Sequence, residues 1–136
     1  MQIQLANKSD KNSIKRFYKS NHYSASFMGD DQCFYMTSQE EIIASVIISF
    51  SSTTPFLHAL VVNRNYQHQG LATQIVFHCQ HRLPNINCFA DKTLTKFYQK
   101  LGFECINSNN LPDCLQSRFY SYQRNNNTLN AFQYRA

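Results

Sequence analysis

The sequence predicts a mixed α+β fold in which a central, twisted and mostly antiparallel sheet is flanked by helices. Three strand-like runs follow one another with short turns between Cys33 and Val62, which is typical of an antiparallel meander. After Gly70 the apolar spacing changes to a helical period, and helical and strand-like segments then alternate. The chain of 136 residues has the usual length of one domain, which we expect to span residues 1–136.

The first half of the chain is predicted to contain a short strand, one helix and the three strands of the meander. Ile14, Phe17 and Tyr18 have the i, i+3, i+4 spacing of a buried helix face. The predicted bounds are strand Gln2–Ala6, a helix capped by Ser9 or Asp10, loop Asn21–Asp31, strands Cys33–Thr37, Ile42–Phe50 and Phe56–Val62, and turns Ser38–Glu41 and Ser51–Pro55.

The second half is predicted to alternate helices and strands. A helix over Gly70–Leu83 is ended by Pro84, whose ring cannot continue the helix. Gly102 supplies the left-handed residue that ends the next helix. The other predicted elements are strand Ile86–Ala90, a helix capped by Asp91 with an apolar face of Leu94, Phe97, Tyr98 and Leu101, and strands Phe103–Ile106 and Phe119–Tyr122. The asparagine-rich segment after Gln123 predicts a flexible tail over residues 123–136.

The composition argues against several classes of function. The longest apolar run, Ile42–Phe50, is interrupted by serines and has strand length, so we expect no membrane association. Met1–Lys11 lacks the pattern of a signal peptide, which predicts a cytoplasmic protein. The five cysteines are odd in number and have no CxxC spacing, so neither disulfides nor a metal site is expected. A net charge of +5 without a basic run gives little support to a nucleic-acid partner.

The segment Leu60–Thr73 carries the strongest functional signal. A buried strand leads through a short loop into a helix, whose first turn has unpaired N–H groups and positive partial charge. Such a turn accepts a phosphate or pyrophosphate. Gly70 lets a ligand approach the backbone closely, and Ala72 keeps the next turn small. On spacing alone, one glycine at a helix start is a weak signal, and an ordinary strand-to-helix turn is the favoured explanation of the segment.

Two blocks of this sequence resemble motifs of the GNAT superfamily of N-acetyltransferases. Gln67-x-x-Gly70-x-Ala72 is similar to its acetyl-CoA signature, (Arg/Gln)-x-x-Gly-x-(Gly/Ala), and Leu60-x-Val62 is similar to the preceding strand. Asp91–Glu104 resembles a later segment of the family, with the ending Phe-Tyr-x-x-x-Gly-Phe. The blocks have the order and separation found in the family. The resemblance covers about residues 32–122 and implies the GNAT acyl-CoA N-acyltransferase fold.

The resemblance implies that acetyl-CoA is the co-substrate and that the strand over Phe56–Val62 splays from Ile86–Ala90. The pantetheine arm is then expected to pair with the backbone of Leu60 and Val62, and the amides of Gln69–Thr73 to hold the pyrophosphate. The residues carried over as cofactor-binding are Leu60, Val61, Val62, Gln67, His68, Gln69, Gly70, Leu71, Ala72, Thr73, Asp91 and Phe97.

The sequence departs from the family pattern at three places. Arg64 stands where a proline is common, and Asp91 stands where an asparagine is common. The loop Gln67–Gln69 lacks the arginine or lysine often found there, which predicts weaker cofactor binding. The backbone donors of the loop are unaffected by these changes.

The resemblance also implies a general acid. Tyr98 matches the tyrosine that many family members place near the thiol sulfur, and it is expected to protonate the departing thiolate. The competing interpretation is that Tyr98 only contributes to the apolar face of its helix. Both interpretations are compatible, because a tyrosine can bury its ring and keep its hydroxyl polar.

A general base is expected because an ammonium group, with a pKa near ~10.4 for a lysine-like amine, has no lone pair. His58 is the candidate, since histidine titrates near neutral pH and strand alternation places it on the face of Leu60 and Val62. A hydrogen-bonded core histidine is the simpler alternative. Glu40, Glu41 or a chain of water molecules are the other candidates for the base.

The sequence therefore predicts an N-acetyltransferase whose acceptor is a small-molecule or peptide amine, attacked directly in a ternary complex. The alternative is a CoA-binding or regulatory module with weak catalysis, suggested by the neutral loop and the uncertain base. A homodimer formed through the predicted strand Phe119–Tyr122 is a further hypothesis.

Overall fold

The computed structural model describes residues 2–51 and 53–136. In this part of the chain a seven-stranded mixed sheet has the strand order β1-β2-β3-β4-β5-β7-β6. The strands are β1 (Ile3–Leu5), β2 (Gln32–Ser38), β3 (Glu41–Ser51), β4 (Thr54–Val62), β5 (Asn85–Asp91), β6 (Glu104–Ile106) and β7 (Leu129–Arg135). The helices are α1 (Lys11–Ser20), α2 (Leu71–Arg82), α3 (Thr95–Lys100) and α4 (Asp113–Gln123). None of these helices is long and apolar enough to cross a membrane.

Contacts divide the chain into two compact units. The first unit consists of Met1–Ser49 and His58–Cys79, and the second of Phe50–Leu57 and Gln80–Ala136. Strand β4 runs through the boundary, so that its first residues belong to the second unit and its last residues to the first.

The first unit is built on an antiparallel meander with α1 packed in its core. Strands β2 and β3 pair in antiparallel register, with Cys33 opposite Ile47. Gln39 and Glu40 connect them with φ angles of +53° and +67°, as in the turns that suit the right-handed twist of a hairpin. This confirms the predicted hairpin. The buried core joins the predicted face of α1 to the meander and contains Ile14, Phe17, Tyr18, Phe27, Cys33, Tyr35, Ile47 and Ala59.

The second unit places β7 between β5 and β6, antiparallel to both. Phe56 of β4 pairs in parallel with Asn87 of β5. The Asn87 side chain is 1% exposed and satisfied, because it donates to the Pro55 carbonyl at 3.3 Å and accepts from Gln133 at 3.0 Å. A buried polar group without such partners would be costly.

The C-terminal part of the sequence prediction was wrong. Phe119–Tyr122 belongs to helix α4, in which Leu115 and Phe119 form the buried i, i+4 pair. The predicted tail, residues 123–136, contains strand β7, where Phe132 is fully buried. Four residues with three aromatic rings fit a strand pattern as well as a helical one, and only the pairing of β7 with β5 and β6 orders the asparagine-rich end. The dimer hypothesis therefore loses the strand on which it was based.

Two smaller predictions also need correction. Asn7 caps the 3₁₀ turn over Lys8–Asp10 that precedes α1, and its side chain accepts a hydrogen bond from the Ser9 amide at 2.9 Å. Asp10 makes no side-chain cap bond to α1. Pro55 lies within β4 instead of in the preceding turn. Ser52, inside that predicted turn, lies outside the described residues.

Candidate functional site

The loop between β4 and α2 is shaped by its own polar side chains. Asn63 accepts a hydrogen bond from the Asn65 amide at 2.9 Å and so caps a single 3₁₀ turn over Arg64–Tyr66. The Gln67 side-chain amide donates to the Val62 carbonyl at 3.1 Å. These local bonds hold the loop in one conformation at the end of the strand.

The end of this loop requires two left-handed residues. His68 has a φ of +65° and Gly70 a φ of +79°. A Cβ built on Gly70 would meet nothing within 4 Å, so the glycine is needed for its backbone angle and leaves open space beside it. The first α-helical bond of α2 then runs from the Gln74 amide to the Gly70 carbonyl at 3.1 Å.

The amides that precede this bond are available to a ligand. Among the described residues, no acceptor bonds the N–H groups of Gln69 to Thr73. Residues Gln67 to Gly70 are exposed, and Leu71 anchors the helix start in the core. The chain has no Asp or Glu between Glu41 and Asp91, so no carboxylate of this segment repels an anion. An exposed helix start without nearby negative charge of its own is suited to phosphate groups.

Strand β4 has a backbone irregularity immediately before the predicted pantetheine residues. Ala59 has a φ of +55°, in the left-handed region that a non-glycine residue rarely adopts. Its carbonyl accepts a hydrogen bond from the Tyr18 hydroxyl at 2.7 Å, and this hydroxyl lies 3.0 Å from the hydroxyl of Ser45. Such irregularities interrupt the alternation of a strand. Consequently, the strict alternation that the sequence prediction assumed for His58, Leu60 and Val62 does not hold.

The network around Tyr18 is buried and neutral. Burial raises the pKa of the Tyr18 hydroxyl far above its ordinary value, outweighing the hydrogen bond to Ser45. Burial likewise raises the pKa of the Cys33 thiol to about 11, and its sulfur lies 3.3 Å from the Ser45 hydroxyl. These groups therefore hold the backbone at Ala59 as neutral hydrogen-bonding partners.

His58 is half-buried and has a defined partner. Its Nε2 atom lies 2.7 Å from the Ser49 hydroxyl. This contact orients the imidazole, since the tautomer of a histidine follows from the hydrogen bonds of its ring nitrogens. The proposed role as general base stays a prediction. The alternative bases Glu40 and Glu41 are exposed near the β2–β3 turn.

Tyr98 lies in the aromatic core of the second unit and is 4% exposed. Its ring stacks on Phe132 at 5.2 Å and meets Phe103 edge to face at 5.3 Å. Its hydroxyl interacts with the Cys88 thiol, whose pKa burial raises far above its usual value. The apolar helix face was predicted to include Leu94, but Leu94 is exposed. Tyr98 thus combines a buried ring with a polar contact at its tip, and its role as acid stays a prediction.

The other two candidates of the second unit lie at the start of the same helical segment. Asp91 accepts from the Thr93 amide at 3.0 Å, as the predicted cap, and is also hydrogen-bonded to the Thr128 hydroxyl. These bonds, the one from Thr128 foremost, hold the pKa of the Asp91 carboxyl well below its usual range. Phe97 is half-buried beside Tyr98, with ring centroids 5.0 Å apart. A direct role of either residue in cofactor binding stays a prediction.

Sequence reasoning missed the buried hydroxyl network that Tyr18 forms. Tyr18 was predicted only as an apolar face residue, and nothing in the sequence indicates which carbonyl its hydroxyl contacts, since Ala59 is 41 positions away. The contact of Tyr98 with Cys88 was missed for the same reason. No cluster of three or more His, Cys, Asp or Glu able to hold a metal is present within residues 2–51 and 53–136.

The mixed sheet is followed at the end of β4 by a candidate phosphate-binding site, the unpaired amides at the start of α2. The model of the acetyltransferase (GNAT) domain family matches residues 5–115 of the sequence. This match covers most of the chain, which therefore belongs to the GNAT acetyltransferase family. A search of curated protein sequences finds no significant match.

Solved structures with the same fold have low sequence identity to this chain. Escherichia coli ElaA matches with a TM-score of 0.71 and 13% identity, over 98% of both chains. The ribosomal-protein-S18-alanine N-acetyltransferase from Escherichia coli matches with a TM-score of 0.71 and 14% identity, over 98% of this chain and 92% of that one.

A third similar structure is N-acetylglutamate synthase from Neisseria gonorrhoeae, complexed with coenzyme A and N-acetyl-glutamate. It matches with a TM-score of 0.70 and 12% identity, over 99% of this chain. This chain spans only 35% of the length of that synthase. At these identities the similarity establishes the fold, and it confirms the predicted GNAT architecture.

Proposed function

We propose that this protein transfers the acetyl group of acetyl-CoA to a primary amine of a small molecule or peptide. The observation that carries the proposal is the set of unpaired amides from Gln69 to Thr73, which begins at the exposed residues Gln69 and Gly70 and lies within the region matched by the family model. A diphosphate is the part of acetyl-CoA that needs such donors.

The loop binds the pyrophosphate through its backbone in this proposal. Each interaction between an anion and a helix start contributes only about 0.3–2 kcal/mol, so several amides have to act together. Arg64 is exposed at the beginning of the loop and adds positive charge. The backbone of Leu60 and Val62 pairs with the pantetheine arm, an assignment carried over from the family. Because these roles need little from side chains, the neutral residues Gln67–Gln69 are compatible with binding.

The acetyl transfer proceeds by direct attack in a ternary complex. The ammonium group of the acceptor loses a proton to His58, whose ring is oriented by Ser49. The neutral nitrogen forms a bond to the thioester carbonyl carbon, the carbon–sulfur bond breaks, and the positively charged nitrogen loses its extra proton to solvent to give the neutral amide. The CoA thiolate then takes the hydroxyl proton of Tyr98. The products are the acetylated amine and CoA, and His58 and Tyr98 regain their proton states through solvent.

One observation favours a second candidate, a CoA-binding module with weak catalysis. The Tyr98 hydroxyl is buried and interacts with Cys88, so that proton delivery from it requires this contact to break. In such a module the loop binds CoA, and amines are acetylated only weakly or not at all.

Two measurements separate these candidates. Calorimetry with CoA tests the loop, and thiol release from acetyl-CoA in the presence of an amine panel, with mass detection of the acetylated product, tests the transfer. Binding together with amine-dependent thiol release supports the enzyme. Binding without acetylated product for any amine supports the module, and absence of CoA binding rejects both.

The base is tested separately by His58→Gln. Glutamine retains a hydrogen bond to Ser49 but accepts no proton at neutral pH. We expect kcat to fall by about 10²-fold, with less loss at higher pH where more of the acceptor is already neutral. An unchanged kcat would show that His58 is not the general base. Glu40 and Glu41 would then be tested as Glu40→Gln and Glu41→Gln in the same assay, with water as the remaining candidate.

A further inference from the structure

A basic cavity of about 590 Å³ lies beside α1 in the first unit. Its volume is within the range of about 300–1,000 Å³ that is usual for small-molecule sites. The residues that matter for its chemistry are Asn12, Lys15, Arg16, Lys19, His22 and Tyr23, and no Asp or Glu is among the described residues that line it.

The cationic side chains of this cavity share one face of α1. Residues 12, 15, 16 and 19 are spaced i, i+3, i+4, i+7, and all are exposed, opposite the buried face of Ile14, Phe17 and Tyr18. Lys15 and Lys19 are four positions apart, where like charges repel and destabilise a helix. No ion pair to Lys15, Arg16 or Lys19 is formed by the residues that the structure describes.

The partial negative charge at the end of α1 accounts for only one of the three cations on this face. Lys19 lies in the last turn of α1, where a cation is favoured by the partial negative charge of the helix end. Lys15 and Arg16 lie in the middle of the helix, where this effect has faded. Arg16 also lines a neighbouring cavity that contains Glu40 and Glu41, but the cavity that it shares with Lys15 has no carboxylate among the described residues that line it, and an anionic ligand would balance the charge there.

The cavity is connected to strand β4 by two tyrosines of the same unit whose rings are in contact at a tilt of 44°. Tyr23 lines the cavity, and its ring lies 5.7 Å from the ring of Tyr18. The hydroxyl of Tyr18 donates to the Ala59 carbonyl, and Ala59 is the immediate neighbour of His58. A ligand held by the α1 cations would contact Tyr23, whose ring packs on the buried tyrosine that supports the strand carrying the proposed base.

We propose that this cavity binds the anionic end of the acceptor, so that the substrate is a primary amine that also carries a carboxylate or a phosphate group. This inference rests on the proposed N-acetyltransferase function and names its substrate class. Lys15 and Arg16 are specificity-determining residues in it, and they pair with the anion while the amine extends toward His58.

The first test compares primary amines with and without an anionic group. Phosphoethanolamine is paired with ethanolamine, and β-alanine with β-alaninamide, at equal concentrations of neutral amine. We expect kcat/KM at least tenfold higher for the anionic member of one pair, with the advantage reduced by added salt. The pair with the larger advantage distinguishes phosphate from carboxylate. Equal kcat/KM within both pairs would overturn the proposal even if thiol release is efficient.

The second test uses Lys15→Gln and Arg16→Gln, with Lys8→Gln as the matched control. Lys8 is exposed in the same unit and does not line the cavity. We expect KM for the anionic acceptor to rise about threefold to tenfold for each cavity variant, with KM for acetyl-CoA and kcat unchanged. Equal effects on the uncharged acceptor, or an equal effect of Lys8→Gln, would contradict a specificity role.

Calorimetry with phosphoethanolamine and β-alanine measures binding of the anionic acceptors without requiring acetyl transfer. If no amine is acetylated but one of these anions binds and Lys15→Gln weakens it, the proposed enzyme fails while the anion site stands. If acetylation occurs and neither anion binds more tightly than its uncharged partner, the enzyme stands and the anion site is rejected.

Discussion

The loop after β4 and the aromatic cluster around Tyr98 offer functional groups in opposite ways. The loop presents backbone amides that are exposed and unpaired, whereas Tyr98 presents one hydroxyl from a ring that is 4% exposed. The loop depends on two left-handed residues and on local hydrogen bonds, and the tyrosine depends on packing against strands distant in sequence. A backbone site tolerates changes of side chain, but a side-chain site is lost when a single atom is removed. The predictions below test this contrast.

The largest effect is expected from Tyr98→Phe, because the substitution removes the proposed acid and keeps the ring packing. We expect kcat to fall by about 10²-fold or more, with KM for acetyl-CoA nearly unchanged, measured by thiol release. Tyr120→Phe is the control, since Tyr120 is an exposed tyrosine of the same unit. Equal rates for the two variants would leave Tyr98 with a packing role only.

A smaller loss is expected from Tyr18→Phe, which leaves the Ala59 carbonyl and Ser45 without their buried partner. The free energy of unfolding should fall by about 1–3 kcal/mol in urea denaturation. Tyr35→Phe removes a hydroxyl that bonds the Gln4 side chain and should cost less. If the free energy of unfolding falls equally in both variants, the hydrogen bond to Ala59 stabilises the protein no more than the hydrogen bond between Tyr35 and Gln4 does.

Gly70→Ala should weaken cofactor binding by about tenfold, corresponding to about 1.4 kcal/mol, because its φ of +79° strains any residue with a Cβ. Gly29→Ala is a matched control, since Gly29 has a φ of +58° and equally open surroundings in the same unit. Both variants should lose similar stability, and only Gly70→Ala should raise the Kd for CoA in calorimetry. A raised Kd for Gly29→Ala would show that general destabilisation, and not the loop, controls binding.

The smallest effect is expected from Asp91→Asn. The pKa of Asp91 is depressed in the folded protein, so its carboxylate adds stability above its unfolded pKa of about 3.9, and this stability is lost as the pH falls toward the folded pKa. The variant should have a lower Tm than the parent at pH 7, and the difference should shrink below pH 4. Asp113→Asn, at the start of α4, serves as the comparison. If the difference in Tm between the parent and Asp91→Asn is the same at all pH values, ionisation of Asp91 does not contribute to stability.

The segments read correctly from the sequence are those whose signals are local. Gly70, Gly102 and Pro84 mark helix ends through backbone angles, and the spacing of Leu71, Ile75 and Cys79 marks the buried face of α2. Each of these features lies within a few residues of its cause. The motif around Gly70 is local in the same sense, and for this reason the loop was predictable.

The elements that were misread have distant causes. Residues 129–135 follow an asparagine-rich segment, and their pairing with β5 and β6 on both sides depends on strands that are distant in sequence. The strand alternation around His58 is interrupted at Ala59, whose carbonyl is held by a tyrosine from α1. Neither fact has a signal in the residues concerned.

The sequence by itself determined the family motifs, the order of elements as far as β6, and the glycines that begin α2 and end α3. Only the tertiary structure decided that residues 113–123 are helical and residues 129–135 a strand, that Tyr18 holds Ala59, and that the Tyr98 hydroxyl contacts Cys88. The physical reason is the range of the interactions. Backbone angles and helical periods are set by neighbours in sequence, while strand pairing and buried hydrogen bonds depend on partners tens of residues away.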